Sequence, residues 1–171
     1  MDILEIIKNR RSIRKFKDKE IPKEILEKLI LALIWAPSAG NLQCRKFYFV
    51  FNKEIKEKLA KASLDQRFIA KAPLVVVACA DEEIEWKYGE RGKNLYSICD
   101  VAMSIQNMML LAQNEGLGTC PVGAFEEDKI REILNLPSNL RPILIVPVGY
   151  PAQKPTPPQR ISKEKAIEFI N

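Results

Sequence analysis

Histidine is absent from all 171 residues. That excludes His-ligated metal sites and every nucleophile system built on a Ser–His or Cys–His pair. Cysteine is sparse: Cys44, Cys79, Cys99 and Cys120 form no C-x-x-C pair and lack the density of a disulfide scaffold. They read as reduced thiols of a cytoplasmic protein. Long apolar runs are missing too. No stretch approaches the roughly 20 residues of a membrane span. The opening "MDILEIIKNRR" has no signal-peptide pattern, so neither membrane attachment nor export is expected. If the chain is an enzyme, these absences leave its difficult chemistry to a bound cofactor.

What is present describes one ordinary domain over residues 1–171, with 47% apolar and 29% charged residues. The net charge of +5 allows an acidic ligand or nucleic acid and demands neither. Much of the basic charge is lysine alternating with glutamate, as in "NKEIKEKLAKA", the pattern of a solvated helix face. Nucleic acid is not the expected partner, because Phe16 beside the basic run lacks the aromatic company of a stacking platform.

Apolar periodicity predicts a short first helix capped by Asp2 with Glu5 at the capping-box position. A second helix starts near Pro22 and is ended by Pro37. "FYFVF" (47–51), "LVVVACA" (74–80) and "PILIVPVGY" (142–150) read as strands, with "KEIKEKLAKA" and "EEDKIREIL" as helices. "YSICDVAMSIQNMMLLAQNEG" predicts a long helix stopped by Gly116. Ile98, Val101, Ala102, Ile105 and Met108 to Leu111 leave it little polar surface. A helix apolar nearly all round must be covered all round, and a shared homodimer core does that economically. The mixture is α+β, or three layers around one sheet.

Three stretches carry candidate site residues. "NRRSIRKF" (9–16) crowds Arg10, Arg11, Ser12 and Arg14 together. Extended backbone would send Arg10, Ser12 and Arg14 to one face, two guanidinium forks around a hydroxyl, and Arg11 and Ile13 to the other. A terminal phosphate, carrying about −1.5 to −2 charges, suits such a group. "APSAGNLQ" (36–43) offers small Pro37, Ser38, Ala39 and Gly40 for close approach of a flat ligand, with the amides of Asn41 and Gln43. "GLGTCPVGAF" (116–125) has no G-x-G-x-x-G fingerprint. Its Pro121, Val122, Gly123 and Ala124 could turn backbone N–H groups to a ligand without side-chain obstruction.

Taken in order with "APLVVVACA" and the closing "VGYP…KPTPPQR", these stretches resemble the nitroreductase-like FMN flavoproteins over essentially the whole chain. The resemblance implies an α+β subunit, a three-layer α/β/α fold on a mixed, mostly antiparallel sheet, built as an intertwined homodimer with two FMN sites at the interface. By position, Arg10, Ser12 and Arg14 match residues holding the FMN phosphate, ribityl chain and pyrimidine end, with Arg11 inside that run. Pro37, Ser38, Ala39, Asn41 and Gln43 match a loop given by the other subunit. Pro121, Val122, Gly123 and Ala124 match the segment against the flavin, with backbone amides at Gly123 and Ala124 serving N5 and O4. Arg160 matches a late basic residue reaching the phosphate, and Gln66 one at the pyrimidine edge.

The implied activity is ping-pong hydride transfer through flavin N5, from NADH or NADPH to a nitroaromatic, a quinone or another small acceptor. Tightly bound FMN does the chemistry, so no catalytic side chain and no metal are expected. Dehydrogenation, dehalogenation, or flavin binding without turnover are the alternatives on the same motifs. The chain departs from larger members in lacking a clear lid insertion, and in carrying Gly123 and Pro158 where some members have larger or basic residues.

Overall fold

Eight helices and four strands alternate along residues 2–170, the part of the chain that this computed structural model describes. In order they are α1 (Ile3–Asn9), α2 (Lys23–Ile34), β1 (Arg45–Val50), α3 (Lys53–Ala62), α4 (Phe68–Lys71), β2 (Leu74–Asp81), α5 (Glu85–Arg91), α6 (Ser97–Asn114), β3 (Gly118–Thr119), α7 (Glu127–Leu134), β4 (Leu140–Gly149) and α8 (Lys163–Ala166).

β2 sets the layering. Leu74, Val76, Ala78 and Ala80 point into one core with Leu29 and Leu33 of α2 and Val101, Ile105 and Met108 of α6. Val75, Val77 and Cys79 point into a second core with Leu59 of α3, Ile69 of α4 and Ile130 of α7. Strand side chains alternate between faces, so an unbroken apolar run is buried on both sides only if helices cover both. The result is the expected α/β/α sandwich. The strand order is β1-β2-β4-β3 and every pairing between these strands is antiparallel. The parallel element of the sheet is an isolated bridge between Ser12 and Thr119.

Local details differ from the sequence expectation. Asp2 occupies the N-cap position of α1, yet its side chain makes no capping hydrogen bond. α2 ends at Ile34, three residues before Pro37, and β1 stops one residue short of Phe51. Gly116 stops α6 as expected, with φ +74, in the left-handed region where glycine avoids a Cβ clash. Residues 82–95, for which no element was expected, and Tyr96, expected to open the long helix, form a 3-10 turn, α5 and a π-helical turn leading into α6.

Length and composition alone would let Glu82–Asn114 cross a membrane, contrary to the apolar-run expectation. The fold uses it otherwise. The run breaks at Gly89 (φ 56, ψ −157), and α6 buries Asp100 and Ser104 among its apolar residues. It is a core helix lying against β2 and α2.

Candidate cofactor site

The arginine segment runs beside the shortest strand. Ile13 donates its N–H to the Thr119 carbonyl at 2.9 Å, so the segment bridges to β3 at Ser12. Glycine at 118 permits this approach, since a Cβ there would stand 2.5 Å from Ile13 Cγ1. Buried Ile13 then fixes which face each neighbour takes. Arg11 turns away: its Nη1 donates to the Lys8 carbonyl at 2.7 Å and the Arg10 carbonyl at 2.8 Å, beside a cavity shared with Gln113 and Lys154. Ser12 and Arg10 turn the other way, to Cys120. Arg14 also reaches that side, with its guanidinium 5.8 Å from the centre of the Phe68 ring.

The electrostatics of this cluster call for an anion. Arg10 Nη1 is buried and has no hydrogen-bond partner among the described residues. Burial lowers the Arg10 pKa, repulsion from Arg160 and then Arg11 lowers it further, and Cys120 opposes them. A buried, unpaired guanidinium nitrogen is costly unless a ligand completes it. Burial also raises the Cys120 pKa, against the pull of Arg14, a hydrogen bond with Ser12, and Arg10, so Cys120 remains a thiol. These residues fit a phosphate monoester of the kind FMN carries: convergent cations, a hydroxyl and an orphaned donor.

The flavin-side segment is held just beyond. Val122 and Ile145 exchange N–H···O bonds at 2.8 and 2.9 Å, which pins the backbone to β4. Pro121 is half-buried, whereas Gly123 and Ala124 are exposed. Among the described residues, the N–H groups of Gly123 and Ala124 donate to nothing within the chain. Gln66 Nε2 donates to the Ser63 carbonyl at 2.9 Å and to the Ala124 carbonyl at 3.2 Å, joining α4's approach to this segment.

The loop 37–43 is a separate structure. Gly40 and Asn41 in its Ala39–Asn41 turn, and Gln43 beyond it, have positive φ. Tyr88 occupies the space that a Cβ on Gly40 would need. Ser38 Oγ accepts the Gln43 N–H at 3.1 Å. Asp100 accepts the Ala39 N–H, and Arg45 donates to the carbonyls of Ala36 (2.7 Å), Pro37 (2.9 Å) and Ile34 (3.1 Å). The fold therefore gathers Arg10, Ser12, Arg14, Gln66, Pro121, Val122, Gly123, Ala124 and Arg160. Among the described residues, no hydrogen bond or ion pair links Pro37, Ser38, Ala39, Asn41 or Gln43 to that group.

Asp100, Arg45, Tyr88, Phe68 and Cys120 escaped the sequence reading of the site. For Asp100 a signal existed: it is the single acid within the apolar run "SICDVAMSIQ". The others become visible only when distant elements meet.

Comparison with known proteins bears on the family and the fold. The sequence model of the Nitroreductase family matches residues 7–67 and 63–150. A protein of Methanothermobacter thermautotrophicus, provisionally named an NADH dehydrogenase/NAD(P)H nitroreductase, is 34% identical across 96% of this chain and 88% of its own length. The FMN reductase (NADPH) of Bacillus subtilis is 29% identical across 94% of this chain and 70% of its length. The solved NADPH:FMN oxidoreductase of Vibrio harveyi, complexed with NAD+, superposes with a TM-score of 0.92 at 25% identity, covering 100% of this chain and 78% of that one.

Proposed function

This chain belongs to the Nitroreductase family, and on that premise we propose that it is an NAD(P)H-dependent oxidoreductase that binds FMN tightly and reduces a nitroaromatic, a quinone or another small acceptor. The observation that carries this reading is the buried Arg10 Nη1, unpartnered within a cluster of like charges. A phosphate completes that cluster, and Ser12 and Arg160 stand beside it.

Arg10 and Arg160 hold the phosphate, and Ser12 the adjoining chain. Arg14, its guanidinium over the Phe68 ring, closes the pyrimidine end with Gln66. The free N–H groups of Gly123 and Ala124 face the ring system, and the small side chains there leave it open to a second reactant. FMN held there would supply two-electron hydride chemistry between NADH or NADPH and the acceptor, in ping-pong order.

The site is completed in a homodimer. The loop 37–43 stands apart from the arginine group, as a loop directed at the partner's site would. α6 leaves Cys99, Ala102 and Met103 along an open stripe, with Leu95 exposed in the turn before it. α1 exposes Ile3, Leu4 and Ile7, and the tail exposes Ile161, Ile167, Phe169 and Ile170. Apolar exposure on this scale marks an interface, and a second copy is the occupant. Four free thiols accord with a cytoplasmic location.

The test is the visible spectrum of the purified protein, followed by anaerobic NADH and then NADPH. Yellow protein that releases FMN on denaturation and bleaches with either nucleotide supports the reading. Colourless protein that added FMN cannot reconstitute overturns it.

A further inference from the structure

A second concentration of positive charge lies behind Arg14. There, residues 14–18, the first turns of α3 and the turn after α4 enclose a cavity of about 620 Å3. Five cations line it, Arg14, Lys15, Lys53, Lys56 and Lys71, against the carboxylates of Asp18 and Glu57. None of the five is in an ion pair among the described residues. Unpaired like charges around one cavity repel each other, and the positive end of the α3 dipole adds to the field.

Lys56 sharpens the point. It is buried, at 7% exposure, and its Nζ donates to the Ala72 carbonyl at 2.6 Å and the Pro73 carbonyl at 3.3 Å. An ammonium has three donors. Two carbonyls orient this one without neutralising it. Burial lowers the Lys56 pKa, with Asp18 opposing and Lys53 adding to the decrease. A desolvated cation in this position is stabilised by an anion entering the cavity.

Arg14 is a wall of both this cavity and the cofactor site. A ligand whose anionic part sits here can therefore extend towards the flavin. We propose that the cavity is a phosphate subsite for the adenosine half of the reducing dinucleotide, with Lys15, Lys53, Lys56 and Lys71 as its cations. This assignment rests on the oxidoreductase reading for its ligand, and on the charge arrangement for its chemistry.

The experiment titrates FMN-loaded protein calorimetrically with 5′-AMP, 2′,5′-ADP, adenosine and inorganic pyrophosphate. It compares wild type with the Lys53→Ala/Lys71→Ala double variant. Both lysines are exposed, so the fold should persist, and unchanged flavin content checks that. The adenosine phosphates should bind, and adenosine should not. In the double variant their affinity should fall at least tenfold, with KM for the donor rising comparably while kcat moves little. Wild-type affinity and KM in the double variant overturn the subsite even where nucleotides still reduce the flavin. So does binding of pyrophosphate alone, which would mark a free-anion site. Adenosine phosphates that bind and are lost in the variant, while neither nucleotide reduces the flavin, uphold the subsite and sink the oxidoreductase reading.

Discussion

The carboxylate of Asp100, buried within α6, accepts the backbone N–H of Ala39 at 3.1 Å through Oδ1 and 3.3 Å through Oδ2, across 61 positions of sequence. This contact ties the long helix to the loop expected to reach the partner's flavin. Asp100→Ala leaves the Ala39 N–H without that acceptor, at a cost of about 1–3 kcal/mol. FMN retention should fall with it, although residue 100 lies outside the arginine cluster. Flavin absorbance after gel filtration checks this, and full retention would show that the loop needs no tether.

Asp100→Asn separates the acceptor from the charge. Burial raises the Asp100 pKa above 3.8, although the Ala39 N–H and Arg45 pull it down. For a carboxyl raised on folding, the stabilising contribution is full below 3.8 and is lost as pH climbs through the folded value. Asparagine does not titrate. The stability of Asp100→Asn relative to wild type should therefore improve from pH 4 towards pH 7, measured by urea unfolding. A difference that stays flat with pH would mean that burial does not govern this carboxyl.

Removing Arg10 should move two quantities in opposite senses. Its Nη1 is unsatisfied and its charge is repelled by Arg160 and Arg11, so Arg10→Ala should leave the melting temperature of the flavin-free protein unchanged or higher. The FMN dissociation constant should rise about 10- to 100-fold, matching roughly 1.5–3 kcal/mol for a charged hydrogen bond. Arg10→Lys should fall between, keeping charge but losing the fork. Stoichiometric flavin in an Arg10→Ala/Arg14→Ala double variant would remove both from the site.

Gly118 supports the same site by steric means alone. A Cβ there would meet Ile13 Cγ1 at 2.5 Å and Ile13 Cβ at 2.7 Å, and Ile13 sits between Ser12 and Arg14. Gly118→Ala should cost about 1–3 kcal/mol as overpacking. It should also weaken FMN binding, because the arginine segment must shift to admit the methyl group. Thermal melts with and without FMN distinguish the two effects: equal losses would mean a purely structural glycine.

Most of the layering was legible in the sequence because it depends on local period. β2 is apolar from Leu74 to Ala80, which only a doubly covered strand can satisfy, and α3 and α7 carry amphipathic patterns. The cofactor stretches were legible through composition and order. The supports of the site were not. Asp100 meets Ala39, Tyr88 meets Gly40 and Phe68 meets Arg14 through tertiary packing that no local pattern encodes. Residues 82–95 were missed because Gly89 and Gly92 interrupt a helical segment whose apolar residues are few.

The open stripe of α6 gives the strongest test of the dimer. Cys99 and Met103 are four residues apart and so share one line along α6, with Met103 at 38% exposure, while Leu95 in the π-helical turn ahead of it is 40% exposed. Met103→Glu places a charge on that line. Exposed in a monomer it is harmless, but buried against a second copy it costs several kcal/mol without a partner. The variant should elute as a folded monomer, with light scattering giving half the wild-type mass. It should also lose FMN, since the arginine group and the loop 37–43 of another chain no longer meet. A monomer that kept stoichiometric flavin would show a site complete within one chain. A dimer unaffected by the glutamate would move the interface from α6 to the apolar surfaces of α1 and the tail.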